Sequence, residues 1–177
     1  MNWDLQNSVT FCKVNETYGC FSNMNGEYPY TIANVYIKSN AHLYQARRFP
    51  TQPVWQREIL EAPNGFAAKL KAKKDGRRRH HSRPDWPAIQ LDVMRLCLNW
   101  KVSRGPNCEE IKRLLRSTKD KPIVELSKRD QFWGVLSTGV GDNWLGRLWM
   151  ELRAGDECPT VSNLNLVLLE KTLNNES

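Results

Sequence analysis

Ser39-Asn40-Ala41-His42-Leu43-Tyr44-Gln45-Ala46-Arg47-Arg48-Phe49 sets polar, aromatic and basic side chains side by side in one short segment. At helical spacing Ala41, Tyr44, Gln45 and Arg48 share one face, and Leu43, Ala46 and Phe49 supply another. A face that joins Gln, Tyr and Arg to a small residue has the chemistry of a polar pocket wall. The plainer alternative is an ordinary short amphipathic helix. Ser39 or Asn40 provides the N-cap, and Pro50 ends the segment.

Working outward, Tyr28, Tyr30 and Ile32 alternate before Val35, Tyr36 and Ile37, with Ala33-Asn34 between them. This predicts a small hairpin. Val9 to Phe11 reads as a short strand. A helix is expected over 53–61, stopped by Pro63-Asn64-Gly65, and a short basic one over 66–74, broken at Gly76. Asp85 is a good N-cap and Pro87 fits a first turn, so a helix should run over 86–102. Ile89, Val93, Leu96, Cys97 and Trp100 mark its buried face. A further helix over 108–116 turns Ile111, Leu114 and Leu115 inward. Ile123-Val124-Glu125 is β-like, and 128–142 is a loop with Gly134, Gly139 and Gly141 as hinges or points of close approach. Helices over 143–153, burying Leu145, Leu148, Trp149 and Leu152, and over 160–173 complete the chain. The expected fold is α+β, a mainly helical single domain over 1–177 with a small antiparallel hairpin.

Composition narrows the class. The chain has 177 residues, 25% charged and 40% hydrophobic, enough for one domain with a proper core. No apolar run is long enough to span a bilayer, and the N-terminus lacks the pattern of a signal peptide. A cytoplasmic protein without membrane partners is expected, or a nuclear one in a eukaryote. Cys12, Cys20, Cys97, Cys108 and Cys158 are widely spaced with no Cys-x-x-Cys pair, so neither a metal site nor a redox centre is expected. Nothing calls for a cofactor. The formal charge is +7, concentrated between Lys69 and Arg83. That run suits a phosphate-bearing partner, because cationic side chains displace condensed counterions; its alternative is a solvated loop.

Several residues can carry chemistry. In the loop 15–26, Phe21, Ser22 and Asn23 follow Gly19 and can bring donors and backbone close to a ligand, or form plain turns. Asp130 stands among aromatics in Asp130-Gln131-Phe132-Trp133-Gly134. It either titrates high as an acid or base, or caps the next turn. Trp86 and Trp133, read as lying at a helix start and in a loop rather than facing inward, can stack on a purine. Asn143 can bond a ribose or base, or cap its helix. His42 serves packing or catalysis equally well, whereas His80 and His81 should be exposed. Glu125 reads best as an ion-pair anchor.

Tyr18-Gly19-Cys20-Phe21-Ser22-Asn23, Ala41-His42-Leu43-Tyr44-Gln45-Ala46 with Arg48-Phe49, and Arg83-Pro84-Asp85-Trp86 resemble blocks of the NADAR, or YbiA-like, family. The resemblance continues through Pro122-Ile123-Val124-Glu125, Asp130-Gln131-Phe132-Trp133-Gly134 and Gly141-Asp142-Asn143-Trp144-Leu145-Gly146-Arg147-Leu148. It ends with Met150-Glu151-Leu152-Arg153, so it spans about 18–153. Lys69, Lys71 and Lys101 also match the family pattern. One departure matters: the family has Glu-His where this chain has Ala41-His42.

The resemblance implies an N-glycosidase acting on ribosylated bases. It would act on ADP-ribose joined to guanine in DNA or RNA, as antitoxin-like reversal of a modification, or on phosphoribosylated riboflavin-pathway intermediates. The basic balance and the wording from Leu43 to Pro50 favour ADP-ribosylated guanine in single-stranded nucleic acid. The family Glu at position 41 is the natural catalytic carboxylate. A lysine imine to opened ribose, with Lys69 as the first candidate, is the competing mechanism, and Asp130 is a further acid–base candidate. The implied binding set is Gly19, Phe21, Ser22, Asn23, Tyr44, Gln45, Arg48, Lys71, Trp86, Lys101, Trp133, Gly134 and Asn143. With Ala41 the chain reads as an inactivated form that retains substrate or product. The alternative is a non-catalytic basic module that binds ADP-ribose or nucleic acid. The oligomeric state is not readable from sequence.

Overall fold

The structure is a computed structural model that describes residues 1–73 and 78–155. In chain order the elements are β1 (Val9–Phe11), β2 (Tyr30–Ile32), β3 (Val35–Ile37), α1 (Asn40–Ala46), α2 (Pro53–Leu60), α3 (Gly65–Lys73), α4 (Trp86–Arg104), α5 (Cys108–Ser117), β4 (Ile123–Glu125) and α6 (Trp144–Ala154). Short 3-10 turns lie at Gly19–Phe21 and Arg78–His81. The fold is α+β, as the sequence implied. The expected helix over 160–173 and part of the basic run, 74–77, lie outside the described residues, as does Cys158. Within the described residues the chain divides into two compact units, 1–22 with 107–155, and 23–106.

In the unit of 23–106, β2 and β3 pair antiparallel, Tyr30 with Ile37 and Ile32 with Val35. Ala33 (φ 46°) and Asn34 (φ 65°) both take left-handed backbone. That is the two-residue turn whose twist matches a hairpin, and Asn tolerates it well. Tyr30, Ile37, Leu43, Phe49, Ile59 and Leu98 are fully buried. Every residue of α1, from Asn40 to Ala46, is buried, so the amphipathic surface helix is not what forms. α1 is enclosed by α2, α3 and α4. A polar helix can be buried only if its side chains find partners, and Asn40 and His42 have them, as described below.

The helix α3 reaches this packing by an unusual division of its side chains. Gly65, Ala68 and Ala72 are its buried residues, a stripe of small groups that brings its backbone close to its neighbours. A Cβ placed on Gly65 would lie 2.9 Å from Met24 Cα and 3.1 Å from Ala41 Cβ. The large apolar residues of α3, Phe66 and Leu70, are left outside.

In the unit of 1–22 and 107–155, β1 and β4 pair in parallel, Val9 with Ile123 and Phe11 with Glu125. The sequence announced only an antiparallel hairpin; this second, parallel pair joins segments far apart in the chain. α6 lies against β4, and Gly146 permits it, since a Cβ there would strike the Ile123 carbonyl and the Asn143 amide. Phe11, Phe21, Ile123, Leu145, Leu148 and Trp149 form this core. The Trp149 indole N–H donates to the Phe21 carbonyl at 2.9 Å, so the buried ring leaves no donor unsatisfied.

Candidate active site

The start of α1 is held by a buried polar network. The Tyr30 hydroxyl donates to Asn40 Oδ1 at 2.8 Å. Asn40 Nδ2 donates to Asn23 Oδ1 at 3.3 Å, and the Asn23 carbonyl accepts the Ala41 N–H at 2.9 Å. Asn23 thus serves as a brace for α1. Burial, followed by the proximity of Cys97, raises the Tyr30 phenol well above its usual range, so it remains a neutral donor. Ser39 stands at the N-cap, but its hydroxyl meets His42 Nδ1 at 2.8 Å rather than a backbone N–H.

His42 Nε2 lies 3.0 Å from the Ala62 carbonyl. A carbonyl only accepts, so Nε2 carries the proton and Nδ1 accepts from Ser39. Burial, aided by the Lys38 charge and opposed by the Ala62 bond, lowers the imidazole pKa. Of the two roles open to His42, the structure shows the packing one.

One helical turn on, Gln45 and Arg48 meet. Arg48 Nη1 donates to Gln45 Oε1 at 3.1 Å and Nη2 to Ser82 Oγ at 2.9 Å. Its guanidinium carbon is 5.6 Å from the Phe49 ring centre and 5.9 Å from that of Trp86. The Arg83 N–H donates to the Arg48 carbonyl at 2.8 Å, which fixes the basic segment against α1. Tyr44 contacts Trp86 edge to face at 4.9 Å, and its hydroxyl reaches Gln90 Oε1 at 3.4 Å. Tyr44, Gln45 and Arg48, which the spacing put on one face, therefore form one cluster with Trp86 of α4. Trp86 is only 8% exposed, so it faces inward, contrary to the expectation for a helix-start residue. Ser82 and Gln90 escaped the sequence reading; the spacing of Gln90 one turn beyond Trp86 is the signal that could have found it. A guanidinium held by polar bonds among aromatic faces is a ready receptor for phosphate or carboxylate.

Two arginines of the basic run are already engaged. Arg78 pairs with Glu58 at 2.6 Å and lies over Trp55 at 4.8 Å. Arg83 grips both oxygens of Asp85, at 2.6 and 2.7 Å, and that bond lowers the Asp85 carboxyl pKa. Asp85 thus makes no side-chain cap for α4, whereas Pro87 does sit in its first turn. His80 and His81 are exposed.

The three candidate lysines occupy different settings. Lys69 and Lys71 are half-buried on α3. Lys101, on α4, is 1% exposed, with its amine 5.5 Å from the Tyr28 ring centre. Ala41 is 3% exposed and lies beside Gly65. Among the described residues no group of His, Cys, Asp or Glu is arranged to hold a metal.

The remaining candidates belong to the other unit. Phe21 is a core ring between Phe11 and Trp149. Gly19, buried like Ser22, lies where a Cβ would strike the Val14 backbone. Asp130 Oδ1 accepts from the N–H groups of Phe132 and Trp133 at 3.2 and 3.0 Å, so it caps the turn. Trp133 is half-buried, edge-on to Phe132 at 5.0 Å. Gly134 presses against the Glu125 carbonyl, 2.6 Å from where its Cβ would be. Asn143 is fully buried with left-handed backbone. Its Nδ2 donates to the Ile123 carbonyl at 2.8 Å and its Oδ1 accepts the Glu125 N–H at 3.1 Å. These bonds make Asn143 a staple between β4 and α6.

The comparisons with known proteins agree with this architecture. The NADAR domain model matches residues 10–155. N-glycosidase YbiA of Shigella boydii is 30% identical over 145 residues, covering 82% of this chain and 86% of that protein. The maize chloroplast riboflavin biosynthesis protein PYRR is 32% identical over 164 residues, 84% of this chain. This chain spans a quarter of that relative's length, since the match covers 25% of it. The solution structure of Escherichia coli YbiA superposes with a TM-score of 0.70 at 28% identity, covering 88% of each chain. The fold and these matches place the protein among the NADAR domains, whose relatives include proteins named N-glycosidases. The chain belongs to the NADAR family.

Proposed function

We propose that this chain has the site of an N-glycosidase that removes ADP-ribose from guanine in single-stranded nucleic acid, and that Ala41 leaves it able to hold that ligand without cleaving it. The observation that carries the reading is the Arg48 guanidinium, held by Gln45 and Ser82 among Phe49 and Trp86. It offers a half-buried, positioned cation that can meet a phosphate of an ADP-ribosyl group. Breaking the bond at the anomeric carbon places positive charge on the sugar and negative charge on the departing base. A carboxylate at position 41 would stabilise the first or activate water, and alanine can do neither.

Lys101 carries the competing route. A lysine amine that gives up its proton can attack an opened ribose to form an imine. Of the three candidate lysines, Lys101 is the most deeply buried. It therefore replaces Lys69 as the nucleophile candidate.

The maize relative's name favours a second reading, hydrolysis of a phosphoribosylated riboflavin-pathway intermediate. The Ala41→Glu protein, offered guanine-ADP-ribosylated single-stranded DNA and a phosphoribosylated aminopyrimidine in competition, separates the two. Release of ADP-ribose from the DNA is expected. Preferential hydrolysis of the pyrimidine would overturn the proposed substrate. Binding to unmodified DNA with no preference for ADP-ribose, and no cleavage by either form, would leave a non-catalytic basic module.

A further inference from the structure

A helix normally buries its large apolar residues and leaves its small ones wherever they fall. α3 does the reverse. Phe66 is 63% exposed and Leu70 is 53% exposed, while Gly65, Ala68 and Ala72 fill the interior. Phe66, Lys69, Leu70 and Lys73 recur at the spacing that places them along one stripe of the helix. Lys73 is exposed and Lys69 half-buried, and the helix contains no acidic residue. Phe66 and Leu70 each leave more than half of their surface outside the core.

The start of α3, though not the stripe itself, lies beside the candidate catalytic position. Gly65 packs against Ala41 closely enough that its missing Cβ would lie 3.1 Å from the Ala41 Cβ. Phe66 is the next residue, and Lys73 lies about 10 Å further along the helix axis. A strand held at position 41 would have to pass around the start of α3 for its neighbouring nucleotides to reach this outward face. Bases stack on aromatic side chains without regard to sequence, and lysines track the phosphates beside them.

We propose that Phe66 and Leu70, flanked by Lys69 and Lys73, form a platform for the unmodified nucleotides that adjoin the modified guanine. The inference rests on the substrate reading above and assigns it a polymeric substrate, single-stranded nucleic acid, rather than a free nucleotide. Charge favours this occupant: α3 carries lysines and no acidic side chain, and the chain's net charge of +7 suits a polyanion better than a second copy of itself.

The test begins with the chain as it stands and a fluorescent, unmodified single-stranded oligonucleotide, followed by anisotropy. Because both side chains are exposed, Phe66→Ser with Leu70→Ser should fold normally, which circular dichroism and thermal melting check. Affinity should fall roughly 5- to 150-fold. Lys69→Gln with Lys73→Gln should instead weaken the salt dependence of binding. In the Ala41→Glu protein the Phe66/Leu70 double variant should lose kcat/KM on the modified oligonucleotide but not on ADP-ribosylated guanosine. Unchanged oligonucleotide affinity, equal losses on both substrates, or a dimer that dissociates when Phe66 is replaced would each overturn the platform. If neither substrate is cleaved but the affinity loss remains, the platform stands and the glycosidase reading fails.

Discussion

A Cβ on Gly65 would stand 3.1 Å from the Cβ of Ala41. The same added carbon would lie 2.9 Å from Met24 Cα, so one of the two cannot yield without moving backbone. Gly65→Ala should therefore destabilise the protein by about 1–3 kcal/mol through overpacking. Chemical denaturation measures this, and a neutral result would mean that α3 can shift away from α1.

Asn143 makes a sharper case. Asn143→Ala removes the bonds to the Ile123 carbonyl and the Glu125 N–H and puts alanine at φ 54°. The expected loss of stability is about 2–4 kcal/mol. Asn143→Gly relieves the backbone but not the lost bonds, and should fall between the two.

Much of this architecture can be read from the chain. Ala33-Asn34 announces its turn because two adjacent left-handed residues suit few side chains. Pro87 marks the first turn of α4 because helix periodicity and a local backbone rule agree there. Tyr44, Gln45 and Arg48 come together because α1 and the turn that follows it keep a near-helical spacing. Other features depend on contacts that no local pattern encodes. The parallel pairing of β1 with β4 is one, and the complete burial of α1 is another. The backbone bonds of Asp130 and Asn143 share a common reason: short polar side chains turn to nearby backbone when it offers donors or acceptors. Trp86 misleads because a helix start can face the core.

Burial lowers the pKa of His42, and the Lys38 charge adds to the effect. Above the ordinary value of 6.5 both folded and unfolded imidazoles are neutral, and the stability is fully present. Below it the unfolded chain binds a proton that the folded chain resists, so stability falls as pH drops from there toward the folded pKa. Urea midpoints from about pH 7.5 to about pH 5.5 should decline in this protein and decline less in His42→Gln. Equal slopes would show that His42 titrates normally.

Arg48→Lys retains a positive charge but loses the fork that reaches both Gln45 and Ser82. ADP-ribose binding by titration calorimetry should weaken about 10-fold or more. An unchanged affinity would remove Arg48 from the site.

Any amine adduct formed during turnover should fall on Lys101. Borohydride quenching of the Ala41→Glu protein with substrate, followed by peptide mass spectrometry, locates it. A label on Lys69 or Lys71 would contradict the role that burial gives to Lys101.

The most direct test compares this chain with Ala41→Glu on guanine-ADP-ribosylated single-stranded DNA, following released ADP-ribose in single turnover. The account predicts release by the Glu form, at least about 100-fold faster than by the Ala41 chain. Equal rates would contradict it: the carboxylate at position 41 would then be dispensable, and Lys101 would be left to carry the chemistry.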